Sequence, residues 1–149
     1  MLNPFDLRAA ITAKHAQHVV LIHFPIALYL SATLLDFLAK RFRHSGLLAV
    51  THWNFLLAAI MSIPAVATGL LAWRWALEGQ KLKGTLRLHL LFACAAVIGF
   101  WLTVWLRKRR GPLGPATSSG SLLILESLVC LLLGLTAHLG GFLSGVNVG

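Results

Sequence analysis

The chain has 149 residues, 58% of them hydrophobic and 11% charged, and its mean hydropathy is +0.80. A soluble domain carries roughly 25% charged residues, so an ordinary soluble fold is excluded and one integral membrane domain, residues 1–149, is expected, with no room for an appended soluble module. The net charge of +9 does not indicate nucleic acid as a partner. The cations gather at the ends of apolar segments, as Lys40, Arg41 and Arg43 and as Arg107, Lys108, Arg109 and Arg110, where topology determinants and contacts to anionic lipid belong.

The chain begins with a polar stretch before Val19 that is expected to form a short interfacial helix. Four apolar runs follow, near 19–39, 53–73, 86–106 and 121–142, each close to the ~20 residues needed to cross a bilayer. Within the first run, a helix starting only at Pro25 would have 15 residues left before Lys40, too few at about 1.5 Å per residue. The helix is therefore expected to run through Pro25 and kink there, and Pro64 is expected to act likewise in the second. The sequence GPLGPATSSG at 111–120 reads as a loop between the third and fourth helices. Short connections make an all-α, up-down-up-down four-helix bundle the expected fold.

Loops 1 and 3 carry seven Lys/Arg and no acid, whereas the N-terminal arm, loop 2 and the tail carry six, with Asp6 and Glu78 nearby. The denser clusters flank loops 1 and 3, so both termini are expected outside, in the periplasm if the source is a Gram-negative bacterium. Cys94 and Cys130 lie mid-run without a C-x-x-C motif and are expected to be buried packing thiols. Trp53, Trp73, Trp75 and Trp105 fit an interfacial aromatic belt.

Three of the seven histidines, His23, His89 and His138, lie inside the apolar runs. An up-down topology brings all three within about 8 Å of one interface, with His15 and His18 just outside it. Intramembrane imidazoles usually face a bundle interior, a partner or a cofactor, and neutral imidazole is a common metal and haem ligand. One turn deeper, each of the three meets a small residue, Ala27, Ala93 or Gly134, and helix 2 brings Gly69 to a similar depth. A ligand in front of such space suits a flat macrocycle, and Arg74, Lys83 and Arg87 at the rim suit its propionates. Haem b held by His23 and His89, on diagonal helices, is the leading expectation; His138 with His89 is the main competing pair, and His18 is an outside candidate. Two alternatives stay open. Small residues four apart also serve close helix packing, with the histidines merely hydrogen-bonding a neighbouring helix or a carbonyl freed by Pro25. A bare zinc or copper site at His23, His89 and His138 is the other.

The opposite end carries Asp36, His52 and Glu126. These groups suit proton carriage or a quinone headgroup, or else Asp36 and Glu126 pair with Arg43, His52 or the loop 3 cations. No nucleophile–base arrangement suggests hydrolysis, and no charge near mid-membrane suggests an ion path.

The segment H-x-x-H-x-x-x-x-H-F-P-I-A-L at 15–28, followed by Asp36, the Thr68-Gly69 pair, His89 opening helix 3, and H-L-G-G-F-L-S-G-V-N-V at 138–148 together resemble DUF2231, a bacterial family of small four-helix membrane proteins. The resemblance covers nearly the whole chain, and H-F-P and H-x-G-G are its most specific pieces. Members usually carry His-Pro near the start, whereas His15 and His18 are followed here by Ala16 and Val19. The resemblance implies a four-span bundle in the bacterial inner membrane, with some relatives redox proteins associated with cytochromes. The functional expectation is a membrane electron-transfer protein with haem b near its outer face, relaying electrons between quinol and a cytochrome or partner respiratory complex, with Arg74 and Arg87 on the propionates. The alternative is a non-catalytic structural or assembly subunit whose histidines pack.

Overall fold

The computed structural model describes residues 16–75, 77–110 and 119–144. The expected interfacial helix before residue 16, residues 111–118 of the third loop and the tail from 145 lie outside the described residues. Four helices make up the rest: α1 (Ala16–Phe42), α2 (Gly46–Trp75), α3 (Gly84–Arg109) and α4 (Gly120–Leu143). All four are long and apolar enough to cross a membrane. At about 1.5 Å per residue they span roughly 36–45 Å, so the helices overrun the apolar runs that signal them, and α2 begins at Gly46 rather than near Trp53. Pro25 and Pro64 are both carried inside uninterrupted helices.

Antiparallel neighbours follow from the short connections. The first turn is only residues 43–45. Arg43 takes a left-handed conformation (φ 54°), and the amide of His44 donates to the carbonyl of Ala39 at 3.0 Å. That is the six-to-one bond that closes a helix end, with arginine where glycine is usual. In the second connection, Glu78, Gly79 and Gly84 have positive φ, and Trp73 Nε1 donates to the carbonyl of Gln80 at 2.9 Å. Ser119 caps α4 by accepting from the amide of Leu122 at 3.3 Å.

Helix α1 packs along α2 and α3 along α4, with thinner contacts of α2 on α3 and of α1 on α4. This cyclic order leaves α1 and α3 diagonal. The core is small for a bundle of this length: Tyr29, Ala32, Phe55, Ala58, Ala59, Ala96, Phe100, Val129 and Leu133. Large apolar side chains, such as Phe24, Leu34, Ile63, Ile98, Ile124 and Leu131, point outward. Lipid is as apolar as leucine, so burial does not select the inner face; close packing of small residues and interhelical hydrogen bonds do. Cys94 is exposed and only Cys130 is half-buried, which corrects the expectation of two buried thiols: Cys94 falls on the outer face.

Two contacts tie the centre. The Tyr29 ring stacks on Phe100 (centroids 4.4 Å apart) and meets Phe55 edge-on (4.9 Å). Its hydroxyl lies 2.8 Å from Thr103 Oγ1. Thr103 spends its single proton on the carbonyl of Gly99 at 2.8 Å, so Tyr29 is the donor, and α1 is bonded across the diagonal to α3. At Gly99 an added Cβ would overlap a γ-methyl of Val129, and a helical valine has one strongly preferred rotamer. Gly99→Ala is therefore expected to push α3 from α4 and cost about 1–3 kcal/mol, read as a lower midpoint of thermal unfolding in detergent.

Candidate functional site

Side chains in the first helix repeat inward at Pro25, Tyr29, Ala32, Asp36 and Ala39. Extended back by a heptad from Pro25, this stripe reaches His18. The His18 ring is half-buried, and its Nδ1 lies 3.1 Å from the carbonyl oxygen of Ala65 and 3.3 Å from Thr68 Oγ1, both on α2. A carbonyl oxygen only accepts, so Nδ1 carries the proton. Thr68 already donates to the carbonyls of Pro64 and Ala65, which leaves its oxygen to accept from His18 as well. The ring rests against Gly69: a Cβ there would come within 3.0 Å of His18 Cε1.

The same arrangement recurs across the diagonal. The α3 stripe runs through Ala96, Gly99, Phe100, Thr103 and Arg107, and a heptad before Ala96 it meets His89. This ring is also half-buried, and its Nδ1 donates to the carbonyl of Thr136 on α4 at 3.0 Å. Gly140 backs it, since a Cβ there would lie 3.3 Å from His89 Cε1. Each histidine is thus braced by the neighbouring helix, and the two are within electrostatic reach of one another. With Nδ1 protonated in a neutral ring, Nε2 holds the lone pair in both.

The structure does not gather His23, His89 and His138. His23 is exposed and donates Nδ1–H to the carbonyl of Val19 in its own helix at 2.6 Å. Five residues separate it from His18, which turns it about 140° round the helix. His138 is exposed too and meets Phe142 edge-on with centroids 5.0 Å apart. Among the described residues no three His, Cys, Asp or Glu side chains converge in a way that could hold a metal ion. Arg74, Lys83 and Arg87 are exposed at the histidine end, and Arg74 Nη1 lies over Gly79. His15 lies outside the described residues.

The other end of the bundle holds a second polar cluster. Arg107 is 2% exposed, and Asp36 and Glu126 are 0% exposed. Arg107 Nη2 lies 2.5 Å from Asp36 Oδ1 and 2.7 Å from Glu126 Oε1, and Nε donates to the same Glu126 oxygen at 3.2 Å. Its guanidinium sits over the Phe55 ring, 4.6 Å from the centroid. All four helices therefore meet at one cation. Of the partners expected for Asp36 and Glu126, the structure selects a cation of the Arg107 to Arg110 cluster. Side chains lean toward the N-terminus of their helix. Arg107, near the end of α3, accordingly swings inward, and it is not the rim residue that its neighbours suggest. His52 sits within α2, not at its start, half-buried and in electrostatic reach of Arg107.

The profile of a family described as predicted membrane proteins, DUF2231, matches residues 14–147. The chain belongs to that family. Both polar clusters of this DUF2231 protein fall inside the matched region, and so do all histidines from His15 onward. No curated protein matches the chain, and no solved structure does. The family description establishes a membrane protein, and its four apolar helices place lipid around it.

Proposed function

We propose that this membrane protein carries electrons through haem b, held between α1 and α3 with His18 and His89 as axial ligands. The observation that carries this reading is the matched pair of Nδ1–H bonds to backbone carbonyls. A ligating imidazole commonly donates its second N–H to a carbonyl, which fixes the ring and leaves Nε2 for the metal. The residues fit the group in three ways. They are two imidazoles from diagonal helices, they lie at one end of the bundle, and glycines allow both rings to sit against their neighbours. Two imidazoles also suit haem b better than a bare zinc or copper ion, which takes three or four protein ligands.

When bound, haem b supplies a one-electron carrier whose potential is set by its ligands and its burial. The chain's own residues orient the imidazoles and exclude water, and Arg74, Lys83 and Arg87 would hold propionates by charge-assisted hydrogen bonds. The proposed partners are membrane quinol and a cytochrome or respiratory complex. The cations at the Arg107 end favour that side as cytoplasmic, which puts the histidine end and both termini at the outer face of a bacterial inner membrane.

One observation favours a second reading, a structural or assembly subunit: the same two histidine bonds also link α1 to α2 and α3 to α4, as packing bonds would. A visible spectrum of the detergent-purified protein separates the two. Sharp α and Soret bands after dithionite reduction are expected from a low-spin haem. A colourless protein from haem-replete cells would favour the packing reading.

A further inference from the structure

We propose that the Asp36–Arg107–Glu126 cluster is a proton-binding site that holds one exchangeable proton, with Glu126 Oε2 as the open position. The argument is one of charge and geometry and does not depend on the haem reading. Two carboxyls converge on a single guanidinium nitrogen, Arg107 Nη2. If both ionise, the three side chains together carry a net charge of minus one where all are 2% exposed or less. A net charge in an apolar bundle is costly, and one bound proton removes it.

Among the described residues, no second Lys or Arg forms a salt bridge with either carboxyl. From α1 comes Tyr29, a neutral phenol whose proton goes to Thr103. Lys40, one turn beyond Asp36, is exposed and places its Nζ beside Gly120. From α2 come Phe55, under the guanidinium, and His52, half-buried, whose ring meets Trp53 edge-on at 6.1 Å and forms no salt bridge with either carboxyl. From α4 comes Cys130, whose thiol is directed to Thr33 Oγ1 at 3.5 Å. Both hydrogen bonds from Arg107 to Glu126 fall on Oε1. Oε2 is buried and has no hydrogen-bond partner among the described residues; it is the atom left to receive a proton. The site lies about 9 Å inside the ends of α1 and α4, at the opposite end of the bundle from His18 and His89.

The chain has only four acidic side chains, so infrared spectroscopy of the full-length protein in liposomes reads the cluster directly. At neutral pH the wild type is expected to show the C=O stretching band of a neutral carboxylic acid, shifted on transfer to D2O. Asp36→Asn and Glu126→Gln should each abolish it, because each leaves one carboxylate matched to one guanidinium. Asp6 and Glu78 are unchanged in both variants and serve as internal controls. Absence of the band from the wild type would overturn the proposal without recourse to any variant. Its survival in either variant, with helical content retained, would overturn it too, as would a band insensitive to D2O.

Discussion

Replacing Arg107 with Met is expected to be the most damaging single change in the bundle. It removes the cation that Asp36 and Glu126 share, both 0% exposed, and leaves two buried carboxyls close together. Breaking a buried ion pair from one side typically costs about 3–5 kcal/mol, whereas replacing every member by neutral groups is often close to neutral. Arg107→Met alone should therefore unfold well below the wild type in a detergent melt, and adding Asp36→Asn and Glu126→Gln should recover most of the loss. That non-additivity separates an electrostatic role from a packing role. The cation also stacks on Phe55, and a methionine keeps much of that contact. If the triple variant were as unstable as Arg107→Met, the loss would lie in packing and the charge argument would fail.

The four helices were legible because their signal is length and apolarity, which need no knowledge of which face turns inward. Their ends were less so. Apolar runs mark where lipid begins, not where the backbone stops, and α2 starts at Gly46 because Arg43 closes α1 and Ser45 re-enters helix at once. The inner faces were hidden for a related reason. A soluble helix shows its core by contrast with a polar side, but here Leu34, Ile98 and Leu131 on the outside are as apolar as anything within. The available signal was the register of small and polar residues. Pro25, Tyr29, Ala32, Asp36 and Ala39 repeat with a helical stride, and Ala96, Gly99, Thr103 and Arg107 do the same. Continued toward the other end, these stripes pass through His18 and His89 and miss His23. On α4 the buried series Leu122, Glu126, Val129 and Leu133 leads to Gly140 and away from His138. His23, His89 and His138 share a depth, and depth cannot tell one face of a helix from another. The expected pairing of Asp36 and Glu126 with a loop 3 cation holds, and only register singles out Arg107, at the head of the basic run, as the one that turns inward.

Alanine at His18 or at His89 is expected to abolish the reduced Soret and α bands of the purified protein, whereas alanine at His23 or His138 should leave them at full strength. The reasoning rests on where the Nε2 lone pairs lie. His18 and His89 give Nδ1–H to carbonyls on α2 and α4, so both rings are held with Nε2 available. His23 turns back on its own helix and stands about 140° away from His18. Loss of colour alone does not prove ligation, since each inward histidine also bonds two helices together, a contact worth about 1 kcal/mol in a membrane bundle. Two further measurements make the distinction. Adding free imidazole to the His89→Ala protein should restore a low-spin spectrum if the vacated ligand position is real, and a packing defect would not respond. His18→Met, which keeps a ligand but changes its chemistry, should retain colour and raise the midpoint potential, as methionine–histidine ligation does. Loss of the bands in His23→Ala with their retention in His18→Ala would reverse the assignment of the α1 ligand and leave His89 as the fixed partner.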